Sequence, residues 1–278
     1  MKLGLITTAW LGTPFEGRPG LEKAREIGFD VVDIAADPLD MSASERTRLL
    51  RDVAEVGLPV ASVPCVAAGL GDFNPSVRRF HVDRVKRHVD LAAELGAGNV
   101  LFCIGEYVWE QQVISPESQW LWAVESAREI GDYAAEGGLE VVIELEPFTY
   151  SVVNSVDTMD GFLEGVNHSH VKANVDCSHL WLMKIEASEI GKLHGRVGHA
   201  HISDCNGETH GDLPPGRGNT PLGSYLRGLR DAGFDGVLSV ELEYSPEPDR
   251  IVEWVSEAYQ QTDELMTSLG VREEGTAR

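Results

Sequence analysis

The sequence predicts an α/β protein with the (β/α)8 architecture of a TIM barrel. Its 278 residues match the size of one such barrel, and 42% of them are hydrophobic, which is enough to bury one large core. Short runs rich in β-branched residues alternate with longer stretches whose apolar residues recur every three to four positions. Glycine often separates the two patterns, as expected where a helix ends, because glycine tolerates positive φ.

Eight segments are predicted to carry strands, and four of them open on a glycine. In order they are residues 3–7, 28–34, 57–63, 98–103, 138–143, 171–176, 197–203 and 237–243. Helical spacing lies between them, for example at Val82, Val85, Val89, Leu91 and Leu95, and at Leu121, Val124, Ala127 and Ile130. A doubly wound open sheet is the alternative, but no GxGxxG follows the first strand. We expect one barrel domain over residues 1–271 and a polar tail over residues 272–278.

Charge and cysteine content narrow the class of protein. The formal charge is −22, from 45 acidic and 23 basic residues. Such a field repels phosphate backbones and anionic membrane surfaces, so neither nucleic acid nor a membrane is an expected partner. The N-terminus turns polar too early for a secretory signal, and no apolar run reaches membrane-spanning length, so we expect a cytoplasmic protein. The four cysteines form no CxxC pair and indicate neither a zinc–thiolate cluster nor a disulfide framework.

Acidic residues and histidines gather at the carboxyl ends of the last four predicted strands. These residues are Glu144, Glu146, Asp176, His199, His201, Glu241 and Glu243. Side chains two positions apart on a strand point the same way, so both members of each pair are predicted to face the interior. Several carboxylates in a common interior are costly unless a cation or a polar ligand compensates them. The pattern predicts a divalent-metal site at the end of the barrel where active sites of this fold lie.

Five stretches, in this order, resemble the xylose-isomerase-like sugar isomerase and epimerase barrels, and the resemblance covers nearly the whole chain. They are Ile-Glu-Leu-Glu-Pro at 143–147, Asn-Val-Asp-Cys-Ser-His at 174–179, His-Ala-His-Ile-Ser-Asp at 199–204, Pro-Gly-Arg-Gly at 215–218 and Asp-Gly-Val-Leu-Ser-Val-Glu at 235–241. The resemblance implies one divalent ion bound by Glu146, Asp176, His201 and Glu241. An oxygen-rich ligand set favours Mn²⁺ first, with Mg²⁺, Co²⁺ and Zn²⁺ as alternatives.

The resemblance also implies a reaction, which is proton abstraction beside the carbonyl of a keto sugar through a metal-stabilised enediolate. Glu146 and Glu241 would act as base and acid, and His179 would contact substrate oxygens as a third catalytic residue. Further substrate contacts are expected in the loops that follow the strands. These are Trp10, Glu106, Trp109, His210 and Arg217.

Several of these residues also have an ordinary structural interpretation. Asp176 and His201 would then form a buried hydrogen-bonded pair, and Arg217 would pair with a surface carboxylate. His210 would be a solvent-exposed loop residue. Glu144 could be the ligand in place of Glu146, and Glu243 in place of Glu241, because both members of each pair face inward.

One departure from the free-ketose epimerases keeps other functions open. Those enzymes carry an Asn-Arg-x-Glu-like stretch where this chain has Phe148 and Tyr150 after Glu146. Lyases on the same scaffold are therefore alternatives, either an inosose dehydratase or the large subunit of a C-glycoside deglycosidase, which works with a small β-sheet subunit. An endonuclease-type barrel is disfavoured by the charge, and a non-catalytic sugar-binding subunit would not need the carboxylates. We expect a homo-oligomer, or a hetero-oligomer if the deglycosidase interpretation holds.

Overall fold

The strands of the molecule close into a single parallel barrel. A computed structural model of the chain describes residues 1–105, 114–243 and 245–273. Each strand pairs with the next in sequence, and the ring closes where β8 pairs with β1, with Leu3 opposite Leu238. The strands are β1 (Lys2–Ile6), β2 (Val31–Asp33), β3 (Val60–Cys65), β4 (Asn99–Phe102), β5 (Glu140–Glu144), β6 (Val171–Asp176), β7 (Val197–Ile202) and β8 (Val237–Val240). The predicted (β/α)8 fold is confirmed.

Helices connect the strands and cover the outside of the barrel. They are α1 (Arg18–Ile27), α2 (Ala43–Val56), α3 (Pro75–Leu95), α4 (Pro116–Glu136), α5 (Val156–Val166), α6 (Cys177–Leu182), α7 (Leu222–Asp231) and α8 (Ile251–Ser268). Short 3₁₀ turns occupy Thr7–Trp10, Ala187–Leu193 and Pro248–Arg250. Local chemistry sets several of these ends, as at α2, where Ser42 and Glu45 form a capping box and Gly57 ends the helix at φ 71°.

The apolar side chains form one continuous core between the sheet and the helices. Helix residues at the predicted spacing, such as Val82, Val85 and Val89 of α3, are buried there. Some polar side chains are buried as well. Several of them, including Glu144, Asp176 and His201, lie at or near the carboxyl ends of the strands. The barrel therefore separates an apolar body, which supports the fold, from a polar end, which carries the site.

Met1 and the last described residues, which follow α8, meet at the opposite side of the core from that site. The amino group of Met1 donates to the carbonyl of Val271 at 2.8 Å. Arg272, the first residue of the predicted tail, forms ion pairs with Asp30 and Asp263, so the ordered body extends beyond residue 271. Among the residues that the model describes, no helix has the length and apolar character needed to cross a bilayer.

Candidate active site

Four side chains from consecutive strands converge at the carboxyl end of the barrel. Glu144 ends β5, Asp176 ends β6, His201 lies in β7 and Glu241 directly follows β8. One ligand atom from each lies within 4.8 Å of the other three. The Nδ1 atom of His201 is 3.0 Å from Glu241 Oε2 and 3.4 Å from Glu144 Oε1. We call these four residues the carboxylate–histidine cluster.

Glu146, which the sequence analysis chose as a ligand and as the base, is not a member of this cluster, and Glu144 takes its place. Strand β5 ends at Glu144, so the alternation of side chains along the strand does not extend to Glu146. Instead, the backbone N–H of Glu146 donates to the carbonyl of Val153 in the loop that follows. Asp176, His201 and Glu241 come together as expected.

The cluster has the properties of a site for a divalent ion. Asp176 Oδ2 is buried and has no hydrogen-bond partner among the described residues, and both ring nitrogens of His201 are buried facing carboxylates without a well-aligned hydrogen bond. Leaving buried polar atoms unpaired costs about 1–3 kcal/mol each, so a ligand that satisfies them is expected. Three carboxylates and one imidazole form a donor set that suits a divalent cation, because hard oxygen ligands predominate.

Neighbouring groups hold the carboxylates in place. Asn174 donates from Nδ2 to Glu144 Oε1 at 2.8 Å. The hydroxyl of Ser178 and the backbone N–H of His179 both donate to Asp176 Oδ1, each at 2.8 Å. These bonds occupy one oxygen of each carboxylate and leave Asp176 Oδ2 available to a ligand, which is how supporting hydrogen bonds orient metal ligands in other proteins.

Asp33 is a site residue that the sequence analysis missed. Its carboxylate is fully buried, 2.9 Å from Nε2 of His199 and 3.8 Å from Nε2 of His201. The nitrogen of His201 that faces Asp33 is therefore not the one that faces Glu144 and Glu241. Its position as the last residue of β2 is the sequence signal that indicates it.

The charges of the cluster depend strongly on one another. Burial by itself lowers the pKa of His201, but Glu241 and Glu144 reverse this effect and raise the pKa well above its usual value. Burial opposes ionisation of Asp176, yet His179 and His201 lower its pKa to about 2. Burial raises the pKa of Glu241 well above its usual value. The buried acids thus attract positive charge to this point, whether a proton or a metal ion.

Trp10 was expected to contact substrate, but it is a core residue. It lies in the 3₁₀ turn after β1 with 1% of its surface exposed, and its ring centroid is 5.8 Å from that of Phe15. The ring also lies against Gly20, where an added Cβ would be 2.5 Å from it. The turn directs the indole towards α1, which sequence position alone does not reveal.

Arg217 was also expected to contact substrate, and the structure places it elsewhere. Its guanidinium pairs with both carboxylate oxygens of Glu257, at 2.9 and 2.6 Å, and lies 4.4 Å from the ring centroid of Trp254. The loop that carries it is wrapped around Asp204, whose Oδ2 accepts the backbone N–H groups of Gly216 and Gly218 at 2.9 Å. This loop conformation directs Arg217 towards α8. Arg217 therefore forms an ion pair with a surface carboxylate, as in the structural interpretation given above.

His179 and His210 contact each other beside the cluster. Their Nε2 atoms are 2.7 Å apart, and Nδ1 of His179 is 2.8 Å from the carbonyl of Leu145. Asp212, which the sequence analysis did not single out, lies 3.2 Å from Nδ1 of His210. The remaining two predicted substrate contacts, at positions 106 and 109, lie outside the described residues.

A cavity of about 310 Å³ opens over the cluster. Its wall carries Glu144, His201 and Glu241, and also two carboxylates outside the cluster, Glu146 and Glu243. The opposite part of the wall comes from the first half of the barrel, with Asp37, Cys65, Arg84 and His88 among its residues. A cavity of this size suits a small polar molecule, and its acidic floor would lie directly against it.

The fold agrees with that of known proteins. A model of the xylose isomerase-like TIM barrel family matches residues 21–262, and the chain belongs to that family. It is 28% identical over 233 residues to a D-psicose 3-epimerase from Ruminiclostridium cellulolyticum, an alignment that covers 80% of this chain and 76% of the relative.

Two further comparisons extend the match. A fructoselysine 3-epimerase from Shigella flexneri is 26% identical over 255 residues, covering 87% of this chain and 90% of that one. The crystal structure of the IOLI protein with a bound zinc atom superposes with a TM-score of 0.83 at 22% identity, over 96% of this chain and 99% of that chain, which shows the shared fold. The named relatives support an enzyme of the isomerase and epimerase type.

Proposed function

We propose that this chain is a divalent-metal-dependent epimerase that inverts a carbon next to the carbonyl of a keto sugar. The observation that carries the proposal is the carboxylate–histidine cluster, in which four strands bring ligand atoms within 4.8 Å of one another. Relatives named as 3-epimerases of D-psicose and of fructoselysine support the substrate class. The cavity of about 310 Å³ over the cluster supports a small polar substrate.

In this proposal Glu144, Asp176, His201 and Glu241 hold the ion, with Mn²⁺ as the leading candidate. When bound, a divalent ion would act as a Lewis acid for the sugar's carbonyl oxygen and the neighbouring hydroxyl. The chain's own contribution is to fix the donors before substrate arrives. Asn174 does this for Glu144 at 2.8 Å, and Ser178 does it for Asp176 at 2.8 Å.

Glu144 and Glu241 are proposed to move the proton. They approach His201 Nδ1 from β5 and from the end of β8, at 3.4 and 3.0 Å, so carboxylates from two separate strands lie next to the same point. One carboxylate takes the proton from the carbon beside the carbonyl, and the electron pair of the C–H bond moves into the carbonyl to give an enediolate. The other group, present as the carboxylic acid, donates its proton to the opposite face of that carbon and becomes a carboxylate, which inverts the carbon.

Glu146 and Glu243 are proposed to accept hydrogen bonds from sugar hydroxyls. Both lie on the wall of the cavity without belonging to the cluster. We accordingly assign Glu146 to substrate binding, in place of the ligand and base roles expected from the sequence. The lyase alternatives would draw on the same residues, and none of the relatives named above favours them. Self-association and a cytoplasmic location remain predictions.

The test uses purified full-length protein stripped of metal with chelator and then resupplied with Mn²⁺. D-Psicose, fructoselysine and a 3-keto glycoside are incubated in deuterium oxide, and deuterium at the carbon beside the carbonyl is followed by NMR. We expect exchange with Mn²⁺ and none without it. Glu144→Gln and Glu241→Gln should each reduce exchange at least about 100-fold, because an acid or base group is lost.

Glu146→Gln is the matched control for Glu144→Gln, because the two residues lie two positions apart in the same segment. It should weaken sugar binding while leaving metal binding intact. Exchange at the wild-type rate in chelated protein, or in Glu144→Gln, would overturn the proposal. Loss of all exchange in Glu146→Gln together with full activity in Glu144→Gln would show that Glu146, and not Glu144, transfers the proton.

A further inference from the structure

A second cavity, of about 620 Å³, adjoins the cavity over the carboxylate–histidine cluster. It lies among the loops that follow β1 and β2 and the helices α1 and α2. Both cavities have Ala35, Ala36 and Asp37 on their walls, so this short segment after β2 forms their common border. The second cavity is therefore next to the place where we propose that the sugar binds.

The common border is held in place from both sides. The hydroxyl of Thr7 accepts the backbone N–H of Ala35 at 2.9 Å, which ties the segment to the end of β1. The carboxylate of Asp37 forms an ion pair with Arg84 of α3 and accepts the backbone N–H of Leu39 at 2.9 Å. Residues 35 and 36 are both alanines, so only short side chains separate the two cavities there. This border suits a ligand that extends from one cavity into the other.

The inner wall of the second cavity is apolar. Leu21 and Ile34 are each 3% exposed, and Met41 and Leu49 are half-buried. Leu11 lines the same cavity with 54% of its surface exposed, so it can gain apolar contacts when a ligand binds. A cavity wall of this kind favours an aliphatic group over a second sugar ring.

The charged residues of this cavity are mostly acidic. Five acids and two arginines line it. Glu16, Asp40 and Glu45 are exposed, whereas the guanidinium of Arg18 pairs with Glu22 at 2.8 Å. In a chain of net charge −22, an excess of acids beside an apolar wall attracts a cation and repels carboxylate and phosphate groups.

We propose that the second cavity binds an alkyl chain that is attached to the keto sugar and ends in an ammonium group. The proposal rests on the proposed function for the chemistry at the cluster. The alkyl chain would pack against the apolar wall, and the ammonium group would lie among Glu16, Asp40 and Glu45. Such a chain matches both parts of the cavity, whereas a sugar phosphate matches neither.

Ketoses of this kind form by a simple condensation. A primary amine adds to the aldehyde of an aldose, water leaves, and the imine rearranges to a ketose that carries the amine on the terminal carbon beside the carbonyl. When the amine is a diamine, its second amino group remains at the end of the alkyl chain. The substrate class is therefore an aminoketose made from an aldose and an aliphatic amine that bears a second cationic group.

The experiment compares aminoketoses made from glucose and one of three amines, which are cadaverine, pentylamine and aminocaproic acid. The three conjugates share the sugar, the secondary amine and a chain of similar length, but they end in an ammonium, a methyl and a carboxylate group respectively. Their dissociation constants and that of D-psicose are measured by isothermal titration calorimetry with the full chain in the presence of Mn²⁺.

We expect the cadaverine conjugate to bind at least about tenfold more tightly than D-psicose, because each buried methylene contributes about fourfold to affinity. The pentylamine conjugate should bind about two- to fivefold more weakly than the cadaverine conjugate, which is the usual contribution of an exposed ion pair, and the aminocaproic acid conjugate more weakly still. High salt should reduce these differences between the conjugates, because it screens exposed charges.

Two substitutions test the two parts of the cavity separately. Glu16→Lys should remove the preference for the ammonium end over the carboxylate end, because it reverses one charge beside them. Leu11→Ser should weaken all three conjugates by a similar factor, because it removes apolar contact area. Neither should alter D-psicose binding, since both residues line the second cavity and not the first. Glu136→Lys makes the same charge change at an exposed position near the end of α4 and should change nothing.

Three results would overturn the proposal. They are equal affinity for D-psicose and the three conjugates, tightest binding of the aminocaproic acid conjugate, and an unchanged preference in Glu16→Lys. Failure of the proposed function gives a different pattern, in which the conjugates bind with the expected preference but no sugar exchanges deuterium in the presence of Mn²⁺. Exchange into D-psicose without any preference among the conjugates would refute only the role of the second cavity.

Discussion

Asp33 Oδ2 lies 3.8 Å from Nε2 of His201 and is held there by His199 at 2.9 Å. Because Nδ1 of His201 faces the carboxylates of the cluster, Asp33 faces the nitrogen that would not bind the ion. The two atoms are too far apart for a direct hydrogen bond, but the charge of Asp33 favours a hydrogen on the ring nitrogen that faces it. In the proposed site, His201 would bind the ion, whereas His199 holds Asp33 in place.

This arrangement predicts the effect of Asp33→Asn on metal binding. The substitution keeps the shape of the side chain but removes its charge, so the negative charge that faces Nε2 of His201 is lost. We expect Mn²⁺ affinity, measured by isothermal titration calorimetry, to fall about 10- to 100-fold. Asp231→Asn, at an exposed position, should leave the affinity unchanged. Wild-type affinity in Asp33→Asn would show that Asp33 does not support the site.

Arg217→Met tests the placement of this arginine on the outside of the barrel. The ion pair with Glu257 is partly exposed, and such pairs contribute about 0.2–1 kcal/mol, so the free energy of unfolding should fall only slightly. Sugar turnover should be retained, and Glu257→Gln should have a similarly small effect on stability. A loss of kcat/KM by about 100-fold without a loss of stability would instead place Arg217 against the substrate.

Gly218→Ala tests how tightly the loop after β7 is wrapped around Asp204. An added Cβ would lie 2.3 Å from both Asp204 Oδ1 and the carbonyl oxygen of Cys205. We expect the free energy of unfolding to fall by about 1–3 kcal/mol, the usual cost of overpacking, in chemical denaturation. Gly191→Ala is the matched control, because nothing lies within 4 Å of its added Cβ. Equal stability of the two variants would contradict this description of the loop.

The pair of His210 with Asp212 predicts a pH dependence of stability. The pKa of His210 is raised to about 9 in the folded state from the ordinary value of 6.5. Its contribution to stability is therefore complete below pH 6.5 and is lost as the pH rises through 9. The difference in unfolding free energy between wild type and Asp212→Asn should shrink from pH 6 to pH 10. A difference that is constant over this range would mean that His210 is not charged by Asp212.

The sequence was sufficient for the fold, because strand and helix periodicity and helix-ending glycines such as Gly57 are local properties. It also identified Asp176, His201 and Glu241, since each lies at or just past a strand end. Alternation along a strand fixes only which face a residue takes. It could not decide between Glu144 and Glu146, because that choice depends on where β5 stops.

Other parts of the site depend on packing between distant segments. Trp10 turns into the core because Gly20 leaves room for its ring. Arg217 points outward because Asp204 accepts hydrogen bonds from the backbone of the residues on either side of it. Asp212 depends on a loop conformation with positive φ, for which an aspartate gives no clear sequence signal. Asp33, by contrast, is predictable from the sequence in the same way as Asp176, because each is the last residue of a strand.

Anomalous X-ray diffraction from crystals of the full chain soaked in Mn²⁺ would locate the bound ion itself. We predict one anomalous peak at the carboxyl end of the barrel, bound by Glu144, Asp176, His201 and Glu241. A peak bound by Glu146 in place of Glu144, or the absence of any peak among these four side chains, would contradict it.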